Sequence, residues 1–96
     1  MKFYIISFDR KIEASYKKFH EQFVSSKLIN GWFHYIKSSY ILGSNGSAKE
    51  ISEHFVETSK INNLSTTHLV VEINLSNRQG MLPKDAWQWI KRNTAR

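Results

Sequence analysis

One acid and a handful of cations carry the most evident chemistry in this chain. Asp9 closes the apolar run Phe3-Tyr4-Ile5-Ile6-Ser7-Phe8. A magnesium ion takes oxygen ligands, keeps several waters and borrows one or two carboxylates from the protein. One aspartate per chain is half of such a site, and two copies of the chain would supply a pair. Asp9 is therefore the candidate catalytic and metal-binding residue, and a homodimer is what would let two copies share Mg²⁺ or Mn²⁺. The plainer reading makes Asp9 a cap for a helix starting near Ile12, or a partner for Arg10 or Lys11. Ser7 falls on the same side of the strand as Asp9, where it would hold a water or a phosphate. No base adjoins it that would make it a nucleophile.

Arg10, Lys11, Lys17 and Lys18 gather around the start of the first helix. As phosphate contacts to DNA or RNA, each would steepen the salt dependence of binding by about one unit of log-log slope. As a solvated helix face, they would do nothing more. Lys84, Lys91, Arg92 and Arg96 form a second basic group with the same two readings. The four histidines, His20, His34, His54 and His68, lack the three- or four-residue spacing of a helical metal site. His34 and His68 are the two that neighbouring strands would bring together. Trp32, Phe33, Tyr35 and Tyr40 are of the type that stacks bases, but the Lys/Arg-Gly-aromatic signature of RNA-recognition domains is missing. They are expected to build the core and a dimer surface. Gly43 and Gly46 lack the spacing and the Lys-Ser/Thr successor of a phosphate-binding loop.

Composition narrows the classes. Fourteen Lys and Arg oppose eight Asp and Glu, a net charge of +6, which favours a polyanionic partner. The absence of cysteine excludes disulfides, thiol nucleophiles and thiolate zinc sites. The N-terminal apolar run is too short for a signal peptide or a membrane span, so a soluble cytoplasmic protein with no membrane partner is expected. The 96 residues are read as a single domain, 1–96.

The elements that must position these residues follow from periodicity. Phe3 to Phe8 is a strand apolar on both sides, with Tyr4, Ile6 and Phe8 on one and Phe3 and Ile5 on the other. Ile12, Tyr16, Phe19 and Phe23 recur at helical spacing, and Asn30-Gly31 is the expected end of that segment. Trp32 to Leu42 reads as strand, with Ser38-Ser39 as a bend, a bulge or the link between two strands. Gly43-Ser44-Asn45-Gly46 is the densest turn signal. Ser47-Ala48-Lys49-Glu50 is a capping box for a helix ending near Ser59. Thr67 to Leu75 is a strand with one wholly apolar side (Leu69, Val71, Ile73, Leu75) and one mixed side. Pro83 and Asp85 suit the start of a last helix, whose contact face carries Trp87 and Ile90. Counted with two middle strands, the plan is α/β (α+β): a ferredoxin-like βαββαβ sandwich with an extra C-terminal helix. Two helices would cover one face of the sheet. The last helix and a two-fold dimer would cover the other.

The chain resembles the SinR-like small proteins, which are similar to the small endonuclease subunit of CRISPR adaptation and to virulence-associated protein D. The resemblance is carried by Tyr4-Ile5-Ile6-Ser7-Phe8-Asp9 and by the helix bearing Tyr16 and Phe19. It extends through Ser39-Tyr40-Ile41-Leu42, Ser47-Ala48-Lys49-Glu50-Ile51, Leu69-Val70-Val71-Glu72-Ile73 and Trp87-Gln88-Trp89-Ile90. It spans nearly the whole chain and is mostly one of hydrophobic pattern. It implies an acid at a dimer interface linked to a divalent metal. Only Asp9 matches that position, and Phe8-Asp9 stands where the family has Tyr-Asp. The expectation is a small dimeric nucleic-acid-associated protein, with Arg10, Lys11, Lys17, Lys18, Lys91 and Arg92 as the binding cations; whether it is an enzyme stays open, and if it is one, the activity is that of a divalent-metal-dependent nuclease. The alternative is a non-catalytic module that binds a protein partner, from a mobile element or defence system.

Overall fold

The computed structural model describes residues 1–11 and 14–94. Seven elements follow in order: β1 (Lys2–Phe8), α1 (Lys17–Val24), β2 (Gly31–Ile36), β3 (Ser39–Ser44), α2 (Ala48–Ile61), β4 (His68–Ile73) and α3 (Lys84–Thr94). The strands form one four-stranded antiparallel sheet in the order β2-β3-β1-β4. β1 is central, pairing along one edge with β3 and along the other with β4. Ile5 pairs with Ile41 of β3 and with Val71 of β4.

On one face of the sheet, Tyr4, Ile6, Phe8, Tyr40 and Leu42 meet Phe19 and Phe23 of α1 and Ile51 and Phe55 of α2. All of these side chains are buried. Burial of each one contributes about 1.5–3 kcal/mol. The other face carries a smaller cluster, in which Ala86 and Ile90 of α3 pack with Phe33 and Leu75, flanked by Phe3, Ile41, Ile73 and Trp89. A Cβ at Gly31 would lie 3.1 Å from the Trp89 ring, so glycine is what lets α3 come this close to β2. Beyond the reach of α3, Leu69 and Val71 stay 63% and 42% exposed. The wholly apolar side of β4 thus faces α3 and solvent. Its mixed side, with Val70 and His68, faces the two-helix core.

Several boundaries differ from expectation for local reasons. Ile12 lies outside the described residues, as do Glu13, Ala95 and Arg96. α1 stops at Val24 rather than at Asn30-Gly31. The Ser25 hydroxyl donates to the Gln22 carbonyl, and Ser26 Oγ accepts from the Leu28 N–H, a competition that unwinds the helix. Asn30 has already joined the sheet, its N–H donating to the Gly43 carbonyl. Gly43 and Ser44 therefore belong to β3 rather than to a turn. The middle segment is two strands linked by Lys37-Ser38. Three steps from Phe33 to Ile36 lie opposite two from Ile41 to Ser39, so β2 holds a bulge.

The capping box forms as expected: Ser47 Oγ accepts from the Glu50 N–H, and Glu50 Oε1 accepts from the Ser47 N–H. α2 continues to Ile61 and ends in a Schellman motif. Leu64 N–H donates to Ser59 O, Asn63 N–H donates to Lys60 O, and Asn63 adopts the left-handed conformation at φ 55°.

Candidate functional site

The bulge and the start of α1 build one cleft. β1 ends on Phe8, and the chain leaving it carries Arg10 onto the Tyr16 ring, 4.5 Å from guanidinium carbon to centroid. α1 presents Lys17 and His20. β2 presents Trp32, His34 and Tyr35, and Tyr40 of β3 forms the floor. Together they enclose about 520 Å³ at the β2 edge. Among the described residues, no carboxylate lines it. Trp32 and Tyr35 are exposed at its mouth. A shallower depression lined by Arg10, Ala14, Lys37 and Ser38 shares Arg10 with it.

The ring stack inside the cleft has a defined protonation pattern. His34 lies flat on Tyr40 at 4.0 Å between centroids, and His20 stacks 5.8 Å from His34. His34 Nδ1 is 2.7 Å from the Ser39 carbonyl, which can only accept, so Nδ1 carries the proton. His34 Nε2 is 3.5 Å from Arg10 Nη1, which can only donate, so Nε2 presents its lone pair. The two contacts fix one neutral tautomer. Burial holds the His34 pKa below its ordinary value of 6.5. The bond to Ser39 opposes that shift, while the charges of His20 and Arg10 add to it. His20 Nδ1 is 2.7 Å from the Tyr40 hydroxyl. Burial pushes the Tyr40 pKa up against a smaller opposing effect of Arg10, so the phenol keeps its proton. Arg10 is also anchored by donating to the Lys37 carbonyl at 2.7 Å.

No family model matches the chain. No curated protein and no solved structure matches it either.

The structure brings Arg10 and Lys17 together at the cleft. Lys11 is exposed beside it, its backbone N–H donating to the Tyr16 hydroxyl, and Lys18 is exposed on α1. Lys91 and Arg92 end α3, which packs on the opposite face of the sheet from α1, so the two basic groups do not converge. Asp9 is exposed past the end of β1, its N–H donating to the Thr67 carbonyl. Among the described residues, no cluster of three potential metal ligands forms within the chain. No helix among them is long and apolar enough to cross a membrane.

His34 and His68 do not meet: they sit on the two edge strands. His68 Nδ1 donates to the Thr66 carbonyl, which leaves Nε2 to accept from the Ser52 hydroxyl at 2.7 Å. That pair resembles a nucleophile and its base. However, Glu53 and Glu57 line the depression beside Ser52 against the single cation of Lys60, so carboxylates outnumber cations where an oxyanion would develop. His54 donates to the Phe23 carbonyl and stacks on the Phe23 ring, a structural arrangement. The His20–His34–Tyr40 stack has no periodic signature in the sequence. A partial signal was present, because the link at Lys37-Ser38 places His34 and Tyr40 across one hairpin.

Proposed function

We propose that this chain binds single-stranded nucleic acid at the β2 edge, with phosphate on Arg10 and Lys17 and a base on Trp32 or Tyr35. The observation that carries this reading is the pairing of two cations with exposed aromatic rings at the mouth of a cleft that, among the described residues, no carboxylate lines. Stacking on an aromatic ring contributes about 1–3 kcal/mol per base and requires an unpaired strand. The test is fluorescence anisotropy with labelled single-stranded DNA and RNA across a salt series. Trp32→Ala should weaken binding about tenfold or more. Arg10→Ala or Lys17→Ala should each reduce the salt slope by about 0.7. Unchanged affinity in both Trp32→Ala and Arg10→Ala overturns the reading.

A ferredoxin-like sandwich with an added helix is supported by the element order βαββαβα and by the antiparallel order β2-β3-β1-β4. A homodimer, or a protein partner in its place, is the second reading. The exposed apolar end of the sheet at Leu69 and Val71 favours it. Asp9 follows Ser7 on that side of β1, so a two-fold contact there would bring two carboxylates toward a shared Mg²⁺ or Mn²⁺, whose bound water would attack a phosphodiester. Sedimentation velocity with and without Mn²⁺, on the native chain and on Asp9→Ala, tests both steps. A monomer under every condition removes the shared site.

A further inference from the structure

We infer that the His20–His34 pair makes this cleft a metal-independent ribonuclease, in which the 2′-hydroxyl of a bound RNA attacks its own adjacent phosphate. The inference rests on the binding reading above and adds an activity to it. It stands on geometry. His34 is locked with Nδ1 protonated and Nε2 as an acceptor, the form a general base requires. His20 is a second imidazole 5.8 Å away, centroid to centroid, with Nδ1 engaged by Tyr40. Among the described residues, the His20 ring is held by its Nδ1 contact with Tyr40 and by an edge-on contact with Trp32 at 4.7 Å. Two imidazoles at this separation can flank one phosphodiester, one serving the attacking oxygen and one the leaving oxygen.

The step balances within the substrate and the pair. His34 Nε2 takes the proton of the 2′-hydroxyl. The 2′-oxygen forms a bond to phosphorus as the bond from phosphorus to the 5′-oxygen breaks. The imidazolium of His20 gives its Nε2 proton to that leaving oxygen, while its Nδ1–H is held on the Tyr40 hydroxyl. The products are a 2′,3′-cyclic phosphate and a free 5′-hydroxyl. Arg10 stands beside His34 Nε2, where its charge opposes the negative charge that grows on the phosphoryl oxygens. Lys17 adds a second cation at the same cleft. Among the described residues, the other titratable groups facing the pair are the phenols of Tyr16, Tyr35 and Tyr40. DNA lacks the nucleophile and is bound without being cut.

The test uses the full chain in EDTA with two labelled oligonucleotides: an all-deoxy strand, and the same strand with one ribonucleotide. Affinity and cleavage are measured in parallel. The ribonucleotide-containing strand should be cut to a cyclic phosphate, with a rate that rises and then falls with pH, while the deoxy strand stays intact. His34→Asn and His20→Asn each keep a donor near the Nδ1 position and lose Nε2. Each should reduce cleavage about 100-fold or more, with affinity retained, and each should remove one limb of the pH profile. Retained affinity reports that the variants fold. Binding of both strands with cleavage of neither overturns the nuclease and leaves the binding reading standing. So does cleavage that EDTA abolishes, or cleavage equal in native chain and variants. Binding of neither strand overturns both.

Discussion

The two faces of the sheet are closed to different extents by different means. On one, two helices lay four aromatic side chains over β1 and β3: Tyr16, Phe19 and Phe23 at α1, and Phe55 on α2. Ile6 and Leu42 beneath them are fully buried. On the other, one helix covers one end and leaves Leu69 and Val71 in solvent. The hydrophobic pattern of β4 points the opposite way, since its more apolar side is the more exposed. Hydrogen bonding explains the inversion. His68 turns toward the core because Ser52 and the Thr66 carbonyl satisfy both of its ring nitrogens there, and its ring stacks on Phe55 at 4.6 Å. A polar residue with its partners supplied can sit against a core.

The largest effect is expected from Phe55→Ala, which removes a buried ring touching Phe8, Phe19 and Phe23. It should cost about 3–5 kcal/mol in urea unfolding, a large part of a small domain's stability. A cost below that of a half-exposed residue would mean that the two-helix face is not the main core.

An intermediate effect is expected from pH. Because the folded state holds His34 below 6.5, it binds fewer protons than the unfolded chain in mild acid. Stability is then full above about 6.5 and declines as pH falls through the lowered value. His34→Asn should flatten that part of the curve, as read from unfolding midpoints at a series of pH values.

The smallest effect is expected from Leu69→Ser on the open face, about 0.5 kcal/mol or less. A larger loss that grows with protein concentration would show that a second molecule covers this face.

Much of the architecture was legible because its signals are local. The two-sided apolarity of Phe3–Phe8 marks a strand that needs cover on both faces, and the Ser47–Glu50 box marks the start of α2 to the residue. The early end of α1 was not legible, because two serine hydroxyls that bond to nearby backbone decide it. The bulge in β2 was hidden as well, since nothing in the types of His34 and Tyr35 marks an extra residue. Asp9 was singled out as the residue closing an apolar strand, a position rather than a constellation. Arg10 and Lys17 stand out in the sequence by charge alone, which does not show that both line one cleft. His20 and His34 were not found as a pair, because their meeting depends on how α1 lies across β2, a tertiary fact with no sequence period.

Arg10 leans on a carbonyl, a ring nitrogen and a phenol face, all of them electrically neutral. Among the described residues, the one ion pair is the exposed Lys49–Glu53 contact. The excess positive charge is thus largely uncompensated within the fold and must be balanced by small ions from the medium. Phosphate or citrate buffer would occupy the guanidinium and mask weak ligands, so a weakly coordinating buffer is the medium in which this surface shows what it holds.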